Sequence, residues 1–173
     1  MGVCLTVNEI IRNGFVADAS SETVDHTTLG RLPSGSAIHL ERAVPAGGRM
    51  GGHFVTGHID CVGRIIERKQ NGEAIDLTIS HGDCLTLFLA RKGSAAVDGV
   101  SLTVNEVDDR AFRVTVVPFT QRNTLFMNAS LGTEVNLEAD ILARYVACCL
   151  GVTQPRQKNG DQLLSKLASS GFL

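Results

Sequence analysis

Gly99-Val-Ser-Leu-Thr-Val-Asn-Glu106 restates Gly2-Val-Cys-Leu-Thr-Val-Asn-Glu9 with a single change: Ser101 stands where the first occurrence has Cys4. The correspondence continues past both stretches. Phe15 aligns with Phe112, Thr23 with Thr120, the Thr28-Leu29 pair with Thr124-Leu125, and GSAIHLE at 35–41 with GTEVNLE at 132–138. Self-similarity on this scale makes the chain two copies of one module. The second copy has a long stretch ahead of its GVSLTV, from about Phe54 to Asp98, whereas only Met1 precedes GVCLTV. By analogy with its twin, a complete first copy needs roughly 45 further residues at its start. The expected organisation is an incomplete first module over 1–50, a complete second one over 51–146 and a helical tail over 147–173.

Within the second copy Val100, Leu102 and Val104 alternate with Ser101, Thr103 and Asn105, the period of two that marks a half-buried strand. Phe112, Val114 and Val116 alternate in the same way after an Asp108-Asp109 turn, and Ile75, Leu77 and Ile79 do so after Asn71-Gly72. Val135 and Leu137 mark another strand, and 61–67 a further one. Short strands, evenly spaced and rich in turns, predict a small antiparallel barrel of about six strands per complete module. The apolar segment 83–90 interrupts the pattern as a helical turn at the barrel end. From Ile141 to Leu150 the apolar spacing becomes helical, with Asp140 as cap and Gly151 as stop; Asp161 opens a second helical segment ending near Gly171. The apolar edges of the first helix suit either a subunit contact or packing across its own barrel.

Composition narrows the function classes. A net charge of −2 and a pI near 6.2 leave no basic stripe for nucleic acid, and no apolar run reaches the roughly 20 residues that span a bilayer. Mean hydropathy of +0.11 with 43% hydrophobic residues suits a soluble globular protein with a core. The N-terminal residues show no secretory pattern, and five cysteines without a CxxC pair read as reduced thiols in the cytoplasm. His53 and His58 do not have the spacing of a common zinc signature, so no metal is expected.

Cys4 and Ser101 each fall on the polar side of a strand, beside Thr6 and Thr103 respectively. A thiol or hydroxyl next to a second hydroxyl on a rigid strand binds polar ligand atoms, or adds to an electrophilic carbon when a base is near. Simple exposure to solvent is the competing reading. Between the copies runs a glycine-rich stretch, GGRMGGHFVTGHID at 47–60, whose glycines permit close backbone approach and whose histidines are suited to proton transfer.

GVCLTV, LERA at 40–43, GGHFVTGH, DGVSLTVNE and VNLEAD followed by an amphipathic helix together resemble riboflavin synthase, over essentially the whole chain. The resemblance implies a mainly β fold: two tandem Greek-key six-stranded antiparallel barrels, the first incomplete, plus a C-terminal α-helix. It implies the last step of riboflavin biosynthesis, in which two molecules of 6,7-dimethyl-8-ribityllumazine give riboflavin and 5-amino-6-(D-ribitylamino)uracil without metal or redox cofactor. It further implies a homotrimer, with lumazine synthase as an expected partner and no role for nucleic acid or membrane. A non-catalytic lumazine- or flavin-binding protein of the same fold is the alternative, and a reductase flavin barrel a third reading.

Carried over by motif, the catalytic candidates are Cys4, Ser101 and His58. The substrate-binding candidates of the first copy are Cys4, Leu5, Thr6, Asp18, Ala19, Ser20, Ser21, Glu22 and Thr23. Those of the second are Lys92, Ser101, Leu102, Thr103, Thr115, Val116, Val117, Pro118, Phe119 and Thr120. Gly57, His58 and Ile59 stand near the shared site, and Asp98 and Asp140 are candidates for orienting hydroxyls. Phe119 occupies the place of Glu22, so any role of that carboxylate is confined to the first copy.

Overall fold

The alternation of Ile75, Leu77 and Ile79 puts all three inside a closed barrel in the computed structural model, which describes residues 1–152. The chain runs through β1 (Val7–Ile11), β2 (Gly14–Ala17) and α1 (Ser21–His26), then β3 (Cys61–Asn71), β4 (Ala74–Ser80), β5 (Ser94–Val97), β6 (Val100–Val107) and β7 (Ala111–Val116). It ends in α2 (Pro118–Asn123), β8 (Glu134–Ala139) and α3 (Ile141–Cys149), and 3-10 turns follow α1 at Thr28–Arg31 and α2 at Leu125–Asn128.

The barrel order is β3-β4-β7-β6-β5-β8, with β8 returning to β3 and every pair antiparallel. Register shifts between Ile65 and Glu67 and between Val104 and Glu106 bend β3 and β6 where closure needs curvature. Leu77, Val104, Phe112, Val114 and Leu137 fill the interior. Each contributes about 1.5–3 kcal/mol of burial free energy. Together they make this barrel the stable part of the chain.

Three sequence expectations change. Strand β5 was not foreseen, because Ser94-Ala-Ala-Val97 is too short and too small-residued to show a period. Segment 83–90 keeps to the expected single turn: Leu89 N–H donates to Leu85 O at 3.1 Å, and Leu85, Phe88 and Leu89 pack into the core. The cysteines are not all free: Cys61 and Cys84 form a disulfide, while Cys4, Cys148 and Cys149 are free and exposed. Sequence spacing could not reveal that pair, because only the fold brings the segment after β4 back beside the start of β3. Cys4 lies outside any strand, since β6 is held over Val100–Thr103 by β5 and the described residues contain no such partner for 3–6.

The tail helix matches expectation, with Asp140 accepting from Leu142 N at 3.0 Å and Gly151 at φ +68° beyond its end. The second helical segment predicted from Asp161 lies outside the described residues.

In the first copy the same elements recur without closure. Hairpin β1–β2 corresponds to β6–β7, α1 to α2, and the first 3-10 turn to the second. The structure moves one alignment by a residue: Thr27, not Thr28, matches Thr124, and each side chain caps its 3-10 turn by accepting from Leu29 N or Phe126 N. Positions that are core in the second copy are open in the first. Phe15 is 41% exposed against 1% for Phe112, and Leu40 is 67% exposed against 0% for Leu137.

The two copies meet through paired contacts. Asn136 Nδ2 donates to Met1 O at 2.8 Å, and in the reciprocal contact His39 Nδ1 lies 3.1 Å from Asp98 O. Gly2 faces its own counterpart Gly99, both at φ near +80°, and a Cβ on Gly2 would collide with the Gly99 backbone.

Candidate functional site

Segment 52–60 crosses from one copy to the other, and three carboxylate or hydroxyl anchors fix its course. Glu138, at the end of β8 and 2% exposed, accepts from Thr56 N (2.7 Å), Thr56 Oγ1 (2.6 Å) and Gly57 N (2.9 Å). Asp60 accepts from Ala139 N at 2.8 Å and pairs with Arg144 of α3, while Asp60 N donates to Leu137 O at 2.8 Å. Ser101 Oγ accepts from His53 N at 3.3 Å and lies 2.7 Å from His53 Nδ1. Charge-assisted bonds of this kind are strong enough to hold an otherwise irregular, glycine-rich segment in one path.

Between the Glu138 and Asp60 anchors the backbone turns out at Gly57, φ +78°, and Gly57 O accepts from Cys4 N at 2.9 Å. This places His58 in the walls of two clefts. One, of about 480 Å³, is lined by Val3, Cys4, Glu22, Thr23, His26, Thr27 and Gly57 to Asp60. The other, of about 330 Å³, is lined by Thr56, His58, Ile59, Asp60, Glu138, Ala139, Ile141 and Arg144. The larger cleft joins a thiol, two carboxylates, two hydroxyls and two imidazoles, a set able to bind a polar heterocycle and move protons.

Of the predicted residues, Cys4, Glu22, Thr23, Gly57, His58 and Ile59 therefore come together in one cleft. Leu5 and Thr6 lead from Cys4 into β1, and Asp18 to Ser21 lie exposed before and at the start of α1, with Asp18 bonded to Asn8 and Ser20 capping the helix by accepting from Thr23 N at 3.1 Å. The second-copy residues line neither cleft. Lys92 is exposed at φ +68°, Leu102 and Val116 are buried in the barrel core, and Thr103, Val117 and Phe119 face solvent. Thr115 Oγ1 donates to Asp76 at 2.5 Å and accepts from Asn105 Nδ2 at 2.6 Å, while Pro118 opens α2 and Thr120 O accepts from Thr124 Oγ1 at 2.6 Å.

Two carboxylates proposed to orient hydroxyls are engaged inside the protein. Asp98 Oδ1 accepts from Asn136 N at 2.9 Å, and burial pushes its pKa up to about 6. Asp140 caps α3.

Ser101 and His53 form a second chemical unit. Burial holds the His53 pKa below its ordinary value, against the opposing pull of Asp140 and Glu138, so the ring is neutral near pH 7. Its Nε2 is buried without a hydrogen-bond partner among the described residues. A neutral imidazole 2.7 Å from a hydroxyl is placed to take that proton.

His53 was expected only in general terms, as one of the proton-transfer histidines of the 47–60 stretch, without Ser101 as its partner. His26, Asp60, Glu138 and Arg144 were missed. Glu138 falls on the strand face opposite Val135 and Leu137, where a charged residue reads as ordinary, so no local signal marked its burial.

A family described as the lumazine binding domain matches residues 1–43 and 56–140, one segment in each copy. The chain is similar to the riboflavin synthase of Photobacterium phosphoreum, at 41% identity over 99% of this chain and 79% of that one. It is similar to those of Actinobacillus pleuropneumoniae (40%, covering 99% and 80%) and Bacillus subtilis (39%, covering 99% and 80%). Among solved structures, LumP complexed with riboflavin superposes with a TM-score of 0.72 at 22% identity, covering 80% of this chain and 74% of that one, which establishes a shared fold.

Proposed function

The chain belongs to the riboflavin synthase family, and from that membership we propose that it converts two molecules of 6,7-dimethyl-8-ribityllumazine into riboflavin and 5-amino-6-(D-ribitylamino)uracil. One molecule donates a four-carbon unit and the other accepts it, so donor and acceptor are the same compound and a duplicated module gives each a site of like shape. The seven-position methyl group is acidic because its carbanion delocalises into the ring, and His58, in the walls of both clefts, is the base proposed to take that proton. Cys4 in the larger cleft and Ser101 beside His53 then polarise, or add to, the electrophilic ring carbon of their respective substrates.

The observation that carries the reading is the joining of Cys4, Glu22, Thr23 and His58 around one cleft in a chain about 40% identical to riboflavin synthases along its length. Ser101 lies outside that cleft. This supports a site assembled between chains, the first copy of one facing the second copy of its neighbour, within a homotrimer. The apolar face of α3 supports the same assembly: Leu142, Tyr145 and Leu150 are 56%, 64% and 72% exposed. We further propose module boundaries at 1–50, 51–146 and 147–173, a cytoplasmic setting, and lumazine synthase as supplier of substrate by direct contact. No helix among the described residues is long and apolar enough to cross a membrane.

Incubation of the purified chain with the lumazine, followed by riboflavin fluorescence, tests the proposal. Riboflavin and the pyrimidine should appear in equal amounts, each such pair consuming two lumazines. Tight binding of the lumazine without product would reject it in favour of a non-catalytic binding protein, the reading that likeness in fold to lumazine-bound LumP supports.

A further inference from the structure

We propose that Glu138 is a positioning residue for this reaction, acting through the Thr56–Gly57 backbone to hold His58 in the two clefts and Gly57 against Cys4. The inference rests on the riboflavin synthase reading and adds a residue to it. A carboxylate 2% exposed is costly to bury unless its lone pairs are filled, and here one oxygen takes Thr56 N–H and O–H while the other takes Gly57 N–H. The exit of the segment is fixed again at Asp60, through Ala139 N and Arg144. Only His58 and Ile59 lie between the two clamps.

The geometry beyond the clamp gives it a functional consequence. Gly57 O accepts from Cys4 N at 2.9 Å, and a Cβ at residue 57 would sit 2.6 Å from the same nitrogen. Cys4 is therefore registered against the segment that Glu138 holds, and His58 follows immediately. Loss of the Gly57 N–H bond frees that carbonyl to rotate away from Cys4. A shift of about 1 Å in a reacting group is enough to cost on the order of 100-fold in rate. Glu41, the counterpart of Glu138 in the first copy, is exposed, so the clamp is not a general requirement of the strand that carries it.

The test is Glu138→Gln in the full chain. Glutamine keeps one acceptor for Thr56 but presents an amide to Gly57 N–H, which removes the bond nearest Cys4 while conserving volume. The expected result is kcat lowered about 10- to 100-fold, KM changed less than about 3-fold, and faster hydrogen exchange at the Cys4 amide. Thr56→Val, which removes one donor to the carboxylate and leaves both backbone bonds, should move the same three quantities in the same directions by less. Wild-type kcat and wild-type Cys4 exchange in Glu138→Gln would overturn the inference, as would a lowered Tm with kcat and exchange untouched. A parent chain that makes no riboflavin would reject the underlying reading, while the exchange measurement would still decide whether Glu138 sets the Cys4–Gly57 contact.

Discussion

His39 and Asn136 occupy equivalent places in the two copies and make the same pair of bonds with different groups. Asn136 Nδ2 donates to Met1 O at 2.8 Å and its Oδ1 accepts from Thr28 N at 2.8 Å. His39 Nδ1 lies 3.1 Å from Asp98 O and its Nε2 accepts from Leu125 N at 2.7 Å. Met1 corresponds to Asp98 and Thr28 to Leu125, so the exchange is reciprocal. The neutral imidazole, protonated at Nδ1, stands in for a carboxamide; this tautomer follows from the hydrogen-bond partners.

That substitution of ring for amide makes the contact between copies sensitive to acid. Burial lowers the His39 pKa below 6.5, the Asp98 carbonyl opposes the shift, and the Met1 ammonium adds to it. The unfolded chain binds a proton near pH 6.5 that the folded one refuses until lower pH, so this contribution is complete above that value and is lost as pH falls through it. Asp98 acts oppositely: with a folded pKa near 6, it favours the folded state at acid pH and loses that contribution as pH rises from about 4 to 6. His39→Asn should keep the parent's stability at pH 8 to within about 1 kcal/mol and lose the acid-side decline belonging to His39, whereas His39→Ala should cost about 1–3 kcal/mol. Urea unfolding midpoints across a pH series measure both; superimposable profiles for parent and His39→Asn would refute the acid-sensitive contact.

Phe15 and Phe112 are the same residue at equivalent positions with opposite surroundings. Phe112→Ala empties part of the closed barrel and should cost about 3–5 kcal/mol. Phe15→Ala, from a half-exposed site on β2, should cost less than about 1 kcal/mol. Equal costs in denaturant titrations would mean that the first copy closes a core of its own in solution.

Ser101→Ala and His58→Ala should each lower kcat more than they raise KM, by at least about 10-fold for loss of a proton-transfer or polarising group. If Ser101 is activated by His53, the double variant Ser101→Ala/His53→Ala should be no slower than Ser101→Ala alone. Steady-state kinetics with the lumazine provide the measurement, and unchanged rates in both single variants would remove these side chains from the chemistry.

The exposed side chains of α3 give the assembly a direct test. Leu142→Glu and Tyr145→Glu place charge on the open face while Ala147, the buried residue of the helix, continues to hold it to the barrel. Light scattering should show the parent as a trimer and the variants as smaller species, with activity lost alongside. A parent that is monomeric at micromolar concentration yet active would rule out the shared site.

The sequence by itself determined the duplication, five of the six barrel strands and both ends of α3, because each is written in local signals: a repeated octapeptide, a period of two, a cap and a stop. It also marked Cys4, Glu22, Thr23 and His58, which the fold collects around one cleft. Local patterns left out whatever depends on distant neighbours. Strand β5 is made a strand by its partners β6 and β8, and Cys61 meets Cys84 only because the segment after β4 returns to β3. Ser101 is paired with His53, and Glu138 with Thr56 and Gly57, across separations that no period records. The tertiary structure alone decided that Phe112 is core and Phe15 surface, since burial belongs to the set of strands that close around a side chain and not to the residue or its neighbours in sequence.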